Sequence, residues 1–322
     1  MAFCLGLDIG GTKCAVVLGE SGVRKEDGVA IIQKQVFTTS QSPDETLKQF
    51  FAVIDDILPQ NCVECDQLSG IGISCGGPLD TKAGLILSPP NLCRWENIPI
   101  VQIIRERYHT SVILENDANA CALAEWKFGA AQGYSNVIFL TFGTGLGAGI
   151  IMNNRLCVGA SGMAGEVGHF RLSGFGPVGY GKSGSFEGFC SGGGIAQLAR
   201  QVALEHIQRG EKPAFCPTLE ALSAITAKSV AEAADRGDPL AKKAYEISGD
   251  YLGRGLSVII DILNPELIVL GSIFCRSQNL LRPAMERTLL QECLPMSREA
   301  CRIIPSGLGE NIGDYAAISL VW

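Results

Sequence analysis

The sequence predicts an α/β protein of two similar lobes, and three observations predict it. The chain has 322 residues, 47% hydrophobic and 18% charged, long for one lobe and enough for two that each bury a core. Residues 137–151 read V-I-F-L-T-F-G-T-G-L-G-A-G-I-I: an apolar strand, a glycine turn, a second apolar strand. Residues 7–17, L-D-I-G-G-T-K-C-A-V-V, repeat that grammar, with Gly10 matching Gly143, Ala15 matching Ala148, and Asp8 standing where the later copy has Thr141. Two copies of one supersecondary unit in one chain mark two related lobes.

Both turns suit an anion. Glycine permits positive φ and leaves amide N–H groups uncovered, while Thr141 and Thr144 add hydroxyl donors. A single copy could be a plain tight hairpin. A carboxylate in one copy and a hydroxyl in the other suit one polyphosphate gripped from both sides, with Asp8 holding a metal ion or its water.

Composition narrows the class. A net charge of −7 argues against a nucleic-acid face, which needs clustered Lys and Arg. No apolar run reaches the 18 or so residues of a membrane span, and no export signal is evident, so the expected address is the cytoplasm, with no membrane partner. The 13 cysteines are scattered and odd in number, as expected of reduced thiols packed as small hydrophobes. Cys62-Val63-Glu64-Cys65 is a lone CxxC without a second pair.

The elements follow in order. A charged turn at 23–28 precedes a strand at 29–37. Ser42-Pro43-Asp44-Glu45 starts a helix, with Ser42 as N-cap, Pro43 first in the helix and Glu45 three residues beyond the cap; Leu47, Phe50, Ile54 and Leu58 carry it to Pro59. Residues 68–74 form a buried strand closing on Cys75-Gly76-Gly77-Pro78, 98–108 a helix and 111–114 a strand. Asp117 ends that strand, either as a carboxylate placed to take a hydroxyl proton or as a cap for the helix at 118–128. A hairpin with a Gly-rich loop is expected at 153–162, a helix at 194–207, short helices at 219–222 and 229–234, and a long helix capped by Asp238-Pro239. Its Gly249, Gly253 and Gly255 cost roughly 1 kcal/mol each relative to Ala, and so admit a ligand or another element close to the backbone. A buried strand at 267–270 closes on Gly271-Ser272-Ile273, followed by a strand at 302–304 and a helix at 313–320.

Asp8-Ile9-Gly10-Gly11-Thr12-Lys13, Glu115-Asn116-Asp117-Ala118-Asn119-Ala120, 141–149 and Glu166-Val167-Gly168-His169 stand in the order and spacing of the ROK sugar kinases. The chain resembles that family from residue 5 to about residue 320. The resemblance implies the two-lobed actin-like ATPase (ribonuclease H-like) fold with an interlobe cleft, the lobes being 1–117 plus 301–322 and 118–300. It implies ATP and Mg²⁺ as cofactors, with Gly10, Gly11, Thr12 and Lys13 on the phosphates from one side. Thr141, Gly143, Thr144 and Gly145 would face them from the other, with Gly271 beside the adenosine and Asp8 on Mg²⁺ through water. Asp117 becomes the general base, and Gly77, Asn91 and Asn116 line the sugar with it. Glu166, His169 and Glu187 complete that set, a buried carboxylate and imidazole suiting a polyol whose hydroxyls both donate and accept. Many relatives bind a structural zinc through three thiols and the His. Here Gly179, Gly181 and Ser185 occupy the thiol positions and Cys190 falls outside the pattern, so the zinc is expected to be lost. Ser272 stands where relatives usually have a second glycine.

The expectation is ATP-dependent phosphorylation of an aldohexose on its terminal hydroxyl, of the glucokinase type, in a chain that could act as a homodimer. N-acetylmannosamine, N-acetylglucosamine, mannose, fructose and allose are alternative acceptors. The rival is a sugar-responsive ROK regulator without catalysis; such repressors add an N-terminal DNA-binding extension and do not need the catalytic Asp.

Overall fold

A computed structural model describes residues 2–22 and 28–322. The chain divides into two compact units, one of Met1–Ser135, Gly149–Ala164 and Gly307–Trp322, the other of Asn136–Ala148 and Gly165–Ser306. The turn expected at 23–28 falls, except for Gly28, outside the described residues.

The chain opens with strands β1 (Phe3–Ile9), β2 (Lys13–Ser21) and β3 (Val29–Thr38), then helix α1 (Pro43–Gln60). Next come β4 (Leu68–Cys75), the short pair β5 (Leu79–Asp80) and β6 (Leu85–Ile86), α2 (Ile100–Tyr108), β7 (Val112–Asn116) and α3 (Asp117–Phe128). Sheet order is β3-β2-β1-β4-β7, with β1, β2 and β3 antiparallel and β4 and β7 parallel to β1. The core behind this sheet packs Leu5, Leu7 and Ile73 against Phe50, Ile54 and Ile57 of α1. Ser42 does precede α1, but its side chain makes no capping bond. Glu45 pairs with Ser40 instead, and the Ser40 amide donates to Thr46 Oγ1 at 3.1 Å.

The chain continues through β8 (Val137–Leu140), β9 (Ala148–Met152), β10 (Arg155–Leu156), β11 (Val178–Gly179), β12 (Lys182–Ser183), α4 (Phe186–Phe189) and α5 (Gly192–Gln208). It ends with α6 (Ala227–Asp235), α7 (Pro239–Leu263), β13 (Leu267–Leu270), α8 (Ile273–Glu292), α9 (Pro295–Ala300), β14 (Arg302–Pro305) and α10 (Ile312–Ser319). The second sheet has the order β10-β9-β8-β13-β14, the last three parallel. Numbered within itself, each sheet runs 3-2-1-4-5, so the repeat in the sequence is a repeat of topology.

Three differences from the sequence reading have physical causes. The segment expected as a short helix at 219–222 is a 3₁₀ turn, Glu220–Ala224. Helix α8 was not foreseen, because Pro283 lies inside it and Ser277 is non-helical, φ −129°. Of the two occupants expected beside the α7 glycines, a ligand or another element, the structure has the element: a Cβ on Gly249 would lie 2.5 Å from Leu281 O, and one on Gly253 2.7 Å from Met285 O, both carbonyls of α8. Helix α3, expected with 118–300, groups with the first unit because Ser319 Oγ of α10 donates to Ala120 O at 3.3 Å and Lys127 Nζ donates to Ser319 O at 2.6 Å.

Candidate active site

In the first unit, β1, β4 and β7 run parallel with Asp8 opposite Ser74 and Cys75 opposite Asn116, so their C-terminal ends finish at one edge. Open α/β sheets bind ligands outside such ends. The turn after β1 is held by Gly10 N–H donating to Lys13 O at 3.1 Å and Thr39 Oγ1 donating to Gly10 O at 2.6 Å. Gly11, Thr12 and Lys13 are exposed, and the amides of Gly11 and Thr12 donate to no protein group among the described residues. Asn91 comes to this turn: a Cβ on Gly11 would lie 2.4 Å from Asn91 O.

At the β7–α3 junction the two roles open to Asp117 separate. Asn116 is the N-cap, its Oδ1 accepting the Ala118 amide at 3.0 Å, and Asp117 is the first helical residue, its Oδ1 accepting the same amide at 2.8 Å. Asn116, expected to bind a hydroxyl, thus engages Oδ1 in the cap and turns Nδ2 toward Gly77, 3.5 Å from where a Cβ would stand. The Gly76–Gly77 turn also faces Asp117 Oδ2, 3.9 Å from a Cβ built on Gly76. Asp117 is open to solvent yet closely surrounded by protein, and this desolvation raises its carboxyl pKa against the opposing pull of the backbone amides. Asp8 is pushed up to about 7, by burial first and then by the charges of Asp117 and Asp314, with Lys34 pulling the other way. Lys34 Nζ meets Asp314 Oδ1 at 2.5 Å. Neither Lys34 nor Asp314 stands in a motif, and only the packing of α10 against β1, with β3 one strand further along the sheet, brings them toward Asp8.

In the second unit the turn after β8 is also closed by a glycine amide. Gly143 N–H donates to Gly145 O at 3.1 Å, two residues on, where Gly10 in its turn reaches three residues on to Lys13 O, and the amides of Thr144 and Gly145 donate to no protein group among the described residues. Thr141, expected on the phosphates, closes the loop instead: its Oγ1 accepts the Gly147 amide at 2.9 Å and its own amide donates to Gly147 O at 3.0 Å. Gly143 likewise keeps its N–H within the turn. A cavity of about 1020 Å³ opens beside it, lined by Gly143, Thr144, Gly192, Tyr245, Ser272 and Arg276 among others. Gly271, expected beside adenosine, is buried against the core instead of lining the cavity, and a Cβ there would meet the Phe139 ring at 2.9 Å. Ser272 faces the cavity with φ 45° and ψ −107°, a backbone state that glycine tolerates and serine resists.

Glu166 and His169 flank the 3₁₀ turn Val167–His169, and both are exposed rather than buried as expected. The turn buries Val167 and Gly168 and so directs its polar ends outward. The His169 ring lies edge-on to Tyr180, centroids 6.3 Å apart. Glu187, at the start of α4, is half-buried, and its Oε2 accepts the Leu146 amide at 3.0 Å. Of the positions expected to have lost thiols, Gly179 and Ser185 are engaged in packing and capping, and Gly181 is an exposed turn residue. Ser185 caps α4 through Gly188 N–H at 3.0 Å, Gly179 leaves room for the Gly188 amide, 2.5 Å from a built Cβ, and Gly181 turns with φ 73°. Cys190 Sγ donates to Ser248 O at 3.4 Å, inside the core. Among the described residues no three His, Cys, Asp or Glu side chains converge to hold a metal ion directly. No helix there is long and apolar enough to cross a membrane.

Comparison with known proteins gives this geometry its context. The chain is 32% identical to a glucokinase of Streptomyces coelicolor over 329 aligned positions, covering 99% of this chain and 98% of that one. It resembles the structure of a ROK family glucokinase from Streptomyces griseus in complex with glucose and AMPPNP, with TM-score 0.78, 28% identity and 99% of each chain covered. It also resembles a ROK family transcriptional regulator, a homolog of the E. coli MLC protein, with TM-score 0.82 and 25% identity, covering 99% of this chain and 78% of the regulator. A model of the ROK family matches residues 4–322, and with two sheets of one topology, each with a glycine turn after its first strand, the chain belongs to the ROK family of the actin-like ATPase superfamily.

Proposed function

We propose that this chain is an ATP-dependent kinase of the glucokinase type, which phosphorylates an aldohexose on its terminal hydroxyl. The observation that carries the reading is the shared edge of β1, β4 and β7, where the Gly10–Lys13 turn, the Gly76–Gly77 turn and Asp117 stand side by side. The similar glucokinases, one of them bound to glucose and AMPPNP, support the same substrates.

In this reading Asp117 accepts the proton of the sugar hydroxyl as its oxygen attacks the γ-phosphorus; the bond to the β–γ bridging oxygen breaks and ADP leaves. The open amides of Gly11, Thr12, Thr144 and Gly145, with Lys13, face phosphate oxygens. Mg²⁺, when bound, neutralises charge on those oxygens, and Asp8 would hold it through water. The fit is chemical: Asp8 is an oxygen ligand whose pKa is raised first by burial and then by the neighbouring carboxylates Asp117 and Asp314, an anionic locale that a hard cation relieves. Gly77, Asn91, Asn116, Glu166, His169 and Glu187 remain the proposed sugar contacts.

The regulator reading has its own support in the TM-score of 0.82. ADP release measured by a coupled assay across a panel of hexoses and N-acetylhexosamines separates the two. A kinase gives sugar-dependent release with at least one of them, lowered roughly 10²–10⁴-fold by Asp117→Asn. Sugar binding by calorimetry without any sugar-dependent release would establish the regulator instead.

A further inference from the structure

Glu187 is fitted into the second unit with unusual care for a residue whose proposed task is to hold one sugar hydroxyl. Glycines from three separate segments make room for it. A Cβ on Gly145, in the phosphate turn, would lie 2.8 Å from Glu187 Oε2. A Cβ on Gly168, beside His169, would lie 2.0 Å from Leu146 O and 3.3 Å from Glu187 Cβ, and one on Gly179, in β11, 2.5 Å from the Gly188 amide nitrogen and 2.9 Å from Glu187 Cβ, so these two glycines seat the phosphate turn and α4 as well as the Glu187 side chain. The carboxylate is thereby directed at the phosphate turn, where Oε2 accepts the Leu146 amide at 3.0 Å. A carboxylate accepting a backbone N–H makes one of the stronger hydrogen bonds available to a turn. The other oxygen, Oε1, has no hydrogen-bond partner among the described residues, and the side chain is only half-buried.

We propose that Glu187 is a positioning residue that joins the sugar site to the phosphate turn. One oxygen holds the turn at Leu146 while the other takes a sugar hydroxyl, so that sugar and nucleotide each bind more tightly in the presence of the other. A carboxylate fixed by a hydroxyl on one side holds its amide on the other with less freedom to lose. The ordering that the first ligand brings about is then ordering that the second need not supply. The sugar half rests on the kinase reading; the hold on Leu146 does not.

The test uses the full chain and two readouts. Hydrogen exchange at the Leu146 amide reads the positioning directly. Glu187→Ala should speed it at least about 10-fold, whereas Glu187→Gln, which keeps an acceptor oxygen, should leave it within about 2-fold of wild type. Gly145→Ala is the second variant, because a methyl there displaces Oε2 while the carboxylate remains, and it too should speed exchange at Leu146. Calorimetry with AMPPNP, with and without saturating glucose, reads the coupling. The wild type should bind AMPPNP about 5- to 20-fold more tightly with glucose present, and Glu187→Ala should bring that ratio to about 1. Unchanged Leu146 exchange in Glu187→Ala or Gly145→Ala overturns the positioning role. A ratio in Glu187→Ala equal to wild type, or a wild-type ratio of 1 with glucose bound, overturns the coupling. If the wild type binds no glucose and turns over no hexose, the kinase reading fails, and the Leu146 exchange still decides whether Glu187 holds the turn.

Discussion

Asp8 carries the sharpest conflict between stability and function in the chain. Its carboxyl titrates at about 7 against an ordinary value of 3.8, because burial and two neighbouring carboxylates disfavour its charge. Between those values the folded chain keeps a proton that the unfolded chain has released, so stability falls as pH rises from about 4 to about 7 and the cost is fully present above that. Asp8→Asn removes the ionisation. It should therefore raise stability at pH 8 by roughly 1–3 kcal/mol, while leaving it nearly unchanged at pH 4. The same substitution should lower turnover at least about 100-fold if Asp8 holds the metal ion, since an amide neither attracts the cation nor orients its water with charge. Denaturant melts at the two pH values, paired with the ADP-release assay, check both halves. An Asp8→Asn chain that is no more stable at pH 8 would mean that burial and the charges of Asp117 and Asp314 do not disfavour the ionised Asp8 in the folded chain.

The elements best read from sequence are those whose signal is local. The strand–turn–strand units and the long helix α7, with Asp238 capping Leu240 and Ala241, are fixed by glycine, alternation and caps within a few residues of one another. Placement of single polar atoms was not legible in the same way. Nothing in Glu115-Asn116-Asp117 says which residue caps α3, because both side chains can reach the Ala118 amide. Nothing in the spacing of Glu166 and His169 says that the 3₁₀ turn between them buries its middle and exposes its ends. Lys34 and Asp314 lie far apart in the chain, so their approach to Asp8 exists only in the tertiary structure. The 176–192 segment shows how much a motif departure can convey. Gly179 and Ser185 are occupied with packing and capping, and Cys190 faces the core, so the chain is expected to be purified free of zinc. Elemental analysis should find well under one zinc per chain, and chelators should act on activity only in a way that added Mg²⁺ reverses. About one tightly held zinc per chain would require cysteines from elsewhere to reach this segment.

At the scale of the molecule, each unit is compact in space and discontinuous in sequence. The first is assembled from three stretches, and its last piece, 307–322, returns to cover strands laid down at the start. Helix α10 lies so close to the sheet that side chains are excluded beneath it: a Cβ on Gly72 would stand 1.9 Å from Ala317 O, and one on Gly6 3.0 Å from Ala317 Cβ. Ala316, Ala317 and Ile318 are buried there, and Trp322 packs edge-on to Phe128, centroids 4.8 Å apart. Gly307 and Leu308 donate their amides to the buried Glu125 at 3.2 and 3.0 Å, so losing this stretch also strips partners from a buried carboxylate. Uncovering Val17, which clusters with Ile318, and Phe128, which packs on Trp322, at about 1.5–3 kcal/mol each, and leaving Glu125 short of donors at about 1–3 kcal/mol, approaches the whole stability of an ordinary domain. A chain ending at residue 306 should therefore lose cooperative unfolding and near-ultraviolet circular dichroism in its first unit, rather than merely lose activity. A truncated chain that melts cooperatively within a few degrees of the full one would show that β1–β4 closes its own core, and that α10 is an accessory to the fold instead of a wall of it.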